Sequence, residues 1–492
     1  MAQMTGTSFE TSAALDAARR KEQRAWYWYD WANSAYVTTV AGVLFLYYLI
    51  GIAETDVCGA PGTPAAPCTE DLIVLGLPLP PGSLVFYVAT FITIVSALLL
   101  PVVGAAADRS AHKRQMLGGF AWFGSVCVAL MFFVTGTNWE LGVLLLFGAS
   151  LALGSSLVVY DSILCQIATT EERDRVSSRG WALGYLGAGL LLSANFALLT
   201  YAQEPGGLSL EMAIRISILS AALWWAGFTL IPFLGIRNRE PVAVVPERGS
   251  LARQGFGQLF TTLRDVRRYP VTLTFLVAYV FYNDGLQTVI GAATVYGTKQ
   301  LGFPPGAMMG IFLFVQFVAF GGALLSGRLA RRYGPRRVLL GGLGIWMLMV
   351  TFAMVVPEGE LGLFAAIAFG IGLVLGGTQA LSRSFYSRLV PRGREAEYFS
   401  LYQATERGTS WLGMLTFGVV HHLAGSYRPA IFALIVFFVV GAVLLWRVDL
   451  QRGMREAGTL EPAAGPTEVR AVGTYADLTP PTVAVGPATP RG

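Results

Sequence analysis

The chain has 492 residues, 54% of them hydrophobic and only 13% charged, against roughly 25% charged in an average soluble domain. Its apolar residues fall in long runs, such as Leu84 to Val103, Leu141 to Val159 and Ala430 to Trp446, and runs of about 20 match the hydrocarbon thickness of a bilayer. This excludes a disordered chain, a fibrous chain, a soluble enzyme and, because the runs are continuous, a β-barrel; the net charge of +5 implies no nucleic-acid partner, since no soluble domain is large enough to carry a basic face.

The polar segment 1–26 carries Glu10, Asp16 and Glu22 and lacks the pattern of a signal peptide. Twelve membrane-crossing helices are then predicted, at about 27–50, 84–107, 115–136, 141–164, 180–202, 212–236, 271–296, 306–328, 338–356, 361–383, 405–425 and 428–447. The expected fold is an all-α polytopic membrane protein. It comprises a six-helix half over 27–236, a cytoplasmic loop over 237–270, a second six-helix half over 271–447 and a disordered cytoplasmic tail over 448–492. With the N-terminus inside, the outer loops keep only Arg215, Lys299 and Arg428 of the 35 Lys and Arg. Both termini are therefore expected in the cytoplasm, and the protein in the cytoplasmic membrane. The outer loop 51–83 holds Cys58 and Cys68, for which a disulfide is expected in an oxidising compartment; the alternative is two free thiols in a floppy loop. Cys127 and Cys165 read as packing residues. In the central loop, Gly257 to Arg268 could form a short amphipathic helix with its arginines toward anionic lipid.

The two sets of six spans look duplicated. Gly104, Asp108-Arg109 and Lys113-Arg114 after span 2 recur at constant offset as Gly327, Arg331-Arg332 and Arg336-Arg337 after span 8. Tyr29-Asp30 in span 1 is matched by Asn283-Asp284 in span 7, and Arg179-Gly180 opening span 5 by Arg407-Gly408 opening span 11. A glycine lets two helices approach closely, and a carboxylate before a helix satisfies its free N–H groups. The Gly-x-x-x-Asp-Arg pattern resembles the loop 2–3 signature of the major facilitator superfamily, where it helps lock one state of a rocking transporter. The second copy departs from it, because Arg331 replaces the acid. Three further stretches resemble the vacuole-effluxer-like branch, related to the autophagy-associated amino-acid effluxer of fungal vacuoles. These are Trp28 to Tyr36, Ser178 to Gly187, and Gly377 to Arg383 with Glu397 to Tyr402 and Ser410 to Gly413. The resemblance runs from Trp28 to Gly413. It implies a twelve-helix transporter in two pseudo-symmetric halves whose spans 1, 4, 7 and 10 line a central cavity, and it attaches amino-acid export.

An ionisable residue inside a span costs about 2.5–3.5 kcal/mol, which makes it a functional candidate. The polar residues concentrate on the spans the resemblance assigns to the cavity: Asp30 and Asn33, Asp161, Asn283, Asp284 and Gln287, and Gln379. Asp30 with Asn33, and Asp284 with Gln287, are three apart and share a helix face. The bland alternative is a hydrogen-bond network that holds the bundle together, which suits Asn33, Asn195 and Gln316, and headgroup solvation is the alternative for Asp30 and Asp161. Asp284 lies mid-span with no cation on its own helix, and such an acid can exchange a proton as its hydration changes; it is the candidate coupling acid, with Gln287 orienting substrate. Gly104, Asp108, Arg109, Arg179, Gly327, Arg331, Glu406 and Arg407 form a candidate cytoplasmic gate. Within it, Arg331 is expected to pair with the acidic segment Glu171, Glu172 and Asp174. Trp26, Tyr27, Trp28, Tyr29 and Trp31 read as an interfacial belt, and His421 and His422 as a solvated turn.

No phosphate-binding Gly-x-x-x-x-Gly-Lys loop is present. Transport would then be secondary: a monomer without cofactor or catalytic residues, moving a small polar solute such as an amino acid by alternating access, in the efflux direction and with proton coupling as the leading variants. The other reading is a transporter-like receptor or assembly partner.

Overall fold

A backbone in hydrocarbon must satisfy its own N–H and C=O groups, and only helices do so within one segment. A computed structural model describes residues 2–62, 68–74, 76–241, 264–408 and 411–460. α1 (Ala2–Ala35) passes through a π-helical stretch, Tyr36–Leu44, into α2 (Phe45–Cys58). A small antiparallel hairpin follows, β1 (Leu72–Val74) with β2 (Leu77–Leu79). The first half continues with α3 (Leu84–Arg109), α4 (Lys113–Leu130), α5 (Trp139–Ile167), α6 (Arg173–Ala202) and α7 (Leu210–Gly235). The second half holds α8 (Pro270–Val295), α9 (Pro305–Tyr333), α10 (Pro335–Val355), α11 (Leu361–Arg388), α12 (Glu395–Gly408), α13 (Trp411–Ala424), α14 (Tyr427–Ala433) and α15 (Ile435–Arg447). A last short helix, α16, spans Leu450–Glu456.

Among the described residues, 10 helices are long and apolar enough to cross a membrane. The two remaining predicted spans fall on α8, whose apolar run is interrupted by Asn283, Asp284 and Gln287, and on α12 with α13, of which only the shorter α13 is apolar. Turns between spans are tight. Gly334 joins α9 to α10 with φ 84°, and Gly425 closes α13 with φ 66°, both left-handed values that a side chain disfavours.

Packing divides the membrane region into two hydrophobic cores. One contains Trp26, Tyr36, Phe45 and Trp225, and the other Phe275, Trp346, Phe385 and Phe438. Across the divide, α6 packs on α9 and α11, and α3 and α5 pack on α12. Small residues make this possible, since dispersion and close backbone approach replace the hydrophobic drive in lipid. A Cβ at Gly104 would lie 2.5 Å from the Ala396 carbonyl oxygen, and one at Gly327 2.7 Å from Ser178 Cβ.

Two expectations need correction. Trp26 and Tyr29 are no interfacial belt: both are fully buried, because α1 begins well before residue 27 and carries them inside the bundle. The segment after Arg447 is not wholly unstructured, since Val448 is buried and Gly453 of α16 is pressed against Leu389 and Val271. The rest of the tail, 461–492, lies outside the described residues, as do 242–263 with most of the amphipathic stretch expected in the central loop. The described residues of the loop 51–83 are part helix and part hairpin, and Cys58 is bonded to Cys68 as expected.

Candidate functional site

The loops rich in arginine share one end of the bundle, called the basic end below. Between the two cores lies a cavity of about 680 Å³. Its lining includes Asp30, Asn33, Asp161, Gln287, Gln379, Arg383 and Glu406, and passes to Leu46, Val85, Met308, Phe364 and Ile431 further along the helices.

Arg383 of α11 is 2% exposed and stands where the cavity meets the basic end. It donates to both oxygens of Asp30, Nη2 to Oδ2 at 2.9 Å and Nη1 to Oδ1 at 3.2 Å. Nη1 also reaches Asp161 Oδ1 at 3.4 Å, Nε reaches Ser177 Oγ at 2.9 Å, and Nη2 reaches the Ser177 carbonyl at 3.2 Å. A guanidinium has five N–H groups, and these five contacts engage all of them. The rings of Trp26, Tyr160 and Trp181 surround it at 4.8, 5.4 and 5.4 Å, within cation–π range. Gln403 of α12 donates to the other oxygen of Asp161 at 2.8 Å. A side chain at Gly180 would collide with the Asp30 carboxylate, so the glycine is what admits it. Tyr185 donates to Gln379 across the same plane. One arginine of the second half thus ties together two acids of the first.

Toward the basic end the halves are bonded in two seams. In the first, both carboxylate oxygens of Asp108 accept the leading amides of α12, from Ala396 at 2.9 Å and Glu397 at 2.8 Å. Lys113 balances the charge at 3.0 Å. A carboxylate here meets the positive end of the helix dipole, and Gly104 lets the backbones close up. Beside this seam, outside the spans, the hydrogen bond from Arg394 to Glu397 holds that guanidinium above its ordinary range. In the second seam Gly327 packs on Ser178, but Arg331 is exposed and forms no ion pair among the described residues. The expected pairing of Arg331 with the acidic segment is corrected: Asp174 is held by Arg388 at 2.7 Å and by Ser384 Oγ at 2.7 Å, and Glu172 by Arg175 at 3.0 Å. Position 331 holds no acid, and the buried acid of this seam is Asp174, in the first turn of α6 itself. Arg173 and Ser177 add bonds to the carbonyls of Ser387 and Ala380, both at 2.7 Å.

Other predicted residues fall elsewhere. Asn283 and Asp284 do not line the cavity. They face span 11, where Asn283 donates to the Glu406 carbonyl at 3.3 Å and Asp284 Oδ2 accepts from the Gly413 amide at 2.8 Å. Asp284 Oδ1 is buried without a partner among the described residues. Arg109 and Arg179 are exposed, and the side chain of Arg407 lies outside the described residues. Asn195 accepts from Ser220 at 3.1 Å, as a packing bond does, whereas Gln316 is on the cavity wall and donates to Thr38 of the other half at 3.3 Å. Arg383, central to the site, was not among the predicted residues. The signal for it is the run Gly377 to Arg388, in which small and polar residues are interleaved with Leu381, Phe385 and Tyr386 around the helix, which suits a helix buried all round rather than one ending at a headgroup layer. Among the described residues no His, Cys, Asp or Glu cluster could hold a metal ion.

Two helical cores flanking a central cavity, bonded to each other at one end, define a membrane transporter of the major facilitator type. Solved structures with this fold include a bacterial homologue of the iron transporter ferroportin in an outward-facing state, with TM-score 0.61, 14% identity, and coverage of 87% of this chain and 98% of that one. The proton:xylose symporter XylE superimposes with TM-score 0.63 at 11% identity, over 88% and 96% of the two chains. An uncharacterised MFS-type transporter of Bacillus subtilis, YxiO, is 32% identical over 429 residues, covering 86% of this chain and 94% of the relative. Autophagy-related protein 22-1 of Penicillium rubens is 24% identical over 552 residues, covering 90% and 92%. The family model of the vacuole effluxer Atg22-like proteins matches residues 18–458. The chain belongs to that family: it is a multi-pass transporter and not an enzyme.

Proposed function

We propose that the chain is a secondary transporter that moves a small polar solute, an amino acid or a similar metabolite, across the cytoplasmic membrane by alternating access. The observation that carries this reading is Arg383 between Asp30 and Asp161, where the cavity between the halves meets their bonded end. Opening that end separates the arginine from its acids, and leaving buried charges unpaired costs several kcal/mol. A zwitterion brings one group for the acids and one for the guanidinium, and so lowers the cost of parting them. The basic loops support a cytoplasmic location for the closed end. Asp284, with one oxygen unpartnered beside span 11, is the proposed coupling acid, and Gln287, on the cavity wall, orients the solute. The test is a thermal-shift screen of purified protein against amino acids and related metabolites, since a specific ligand stabilises the folded state, followed by counterflow in proteoliposomes. A ligand that shifts the native protein, fails to shift Arg383→Gln and exchanges across the bilayer supports the reading. If zwitterions, anions and neutral sugars all leave the native protein unshifted and unexchanged, the reading is wrong.

A further inference from the structure

A second pocket, of about 390 Å³, lies outside the central cavity among α9, α10 and α11. Its rim residues Leu325, Tyr333, Arg337 and Gly341 are exposed on the outside of the bundle, where lipid chains stand. Its interior is apolar, from Leu329, Ile345, Leu373 and Val374. Glycines hold it open: a Cβ at Gly341 would meet nothing within 4 Å, and one at Gly342 only Thr378 Oγ1 at 3.4 Å.

One rim residue of this pocket, Arg337, is cationic, and it belongs to a basic turn. Arg328, Arg331, Arg332, Arg336 and Arg337 crowd the turn between α9 and α10, and no acid stands among them in the sequence. None of the five forms an ion pair among the described residues, although Arg332 lies over the Tyr333 ring at 5.4 Å. Arg336 Nε is buried without a hydrogen-bond partner. The nearest acid across the seam, Asp174, is already engaged by Arg388 and Ser384. An apolar slot with Arg337 on its rim and four more arginines in the adjoining turn is complementary to one kind of molecule, with a chain below and a phosphate above.

We propose that this pocket binds an anionic phospholipid, one acyl chain entering between α9, α10 and α11 and the phosphate meeting Arg336 and Arg337. The wall includes Gly377, Thr378 and Leu381 of α11, shortly before Arg383 on the same helix. The bound chain therefore backs the helix that carries the inter-half arginine.

The test uses the full chain purified in detergent, with binding followed by native mass spectrometry and thermal shift. The probes are dioleoyl phosphatidylglycerol, dioleoyl phosphatidylcholine and inorganic phosphate. Phosphatidylglycerol is expected to bind and stabilise, and the other two are not. Each arginine near a lipid headgroup contributes a factor of about 5 in affinity, so Arg336→Gln with Arg337→Gln should weaken phosphatidylglycerol binding about 30-fold. Gly341→Leu, at a lining position where an added Cβ meets no atom within 4 Å, should abolish binding while leaving unfolding without lipid unchanged. Arg392→Gln, an exposed arginine in another basic loop, should bind as the native protein does. Equal binding of the two lipids, a shift with phosphate alone, or native binding by Gly341→Leu each overturns the proposal; loss in the arginine pair alone means surface charge without a pocket.

Discussion

Every N–H of Arg383 is directed at an acceptor, so deleting its charge leaves Asp30 and Asp161 buried without their shared cation. Breaking a buried pair by removing one partner costs about 3–5 kcal/mol. Arg383→Gln should therefore unfold at clearly lower temperature in detergent and lose exchange, and adding Asp30→Asn should recover part of the stability. A double variant no more stable than the single one would mean that the acids do not depend on this arginine. Asp284→Asn mimics a protonated acid, so in proteoliposomes it should keep solute exchange and lose accumulation driven by a pH gradient. Accumulation retained with pH alone moves the coupling role to Asp30. Residues of this kind were only partly legible beforehand. Asp30, Asn33, Asp161, Gln287 and Gln379 line the cavity as their spans implied. Arg383 escaped notice because hydropathy ends its span at that residue, and an arginine at a span end reads as an anchor; the helix in fact runs on to Arg388. Asp284 and Gln287 read as one face because they are three apart. The boundary between the cavity wall and the contact with span 11 falls between them, and spacing within one helix does not locate such a boundary.

At the scale of elements, the long apolar helices and their order were readable because lipid leaves the backbone no other solution. What fastens them was less so, since the fastenings join residues far apart in sequence. The Asp108 cap on α12 is an exception, because its signature is local. Asp108→Asn keeps an acceptor but loses the charge that faces the helix dipole, an effect of about 0.3–1 kcal/mol and more where partly buried. That should bias the basic end toward opening. Cys165 reports it, since its thiol contacts the Ser387 carbonyl at 3.8 Å across the closed seam. With Cys127 replaced by Ser, an impermeant maleimide should label Cys165 faster in Asp108→Asn than in the native background. An unchanged labelling rate would show that the cap does not hold the seam. α16 was missed because its attachment is to distant residues: Thr459 Oγ1 donates to the Arg388 carbonyl at 2.5 Å, and nothing near it in sequence announces that partner.

For the whole molecule, two cores that meet mainly through small residues and a few directed bonds can rock as bodies, because each core is packed within itself. Spin labels at Gly206 and Gly359, both in exposed turns opposite the basic end, should move closer when a transported solute is added, while labels at Ser110 and Arg332 move apart. Distances that stay fixed with a solute known to exchange would exclude rocking of the halves. The two seams at the basic end were once the same seam, if the halves arose by duplication, yet they are now closed by different chemistry. One still relies on an acid between spans; the other has handed that task to Asp174 and Arg388. Such a transfer releases position 331 from selection for a carboxylate. The turn between α9 and α10 can then carry five arginines with no acid among them, whereas its counterpart after α3 must keep Asp108 to hold its own seam.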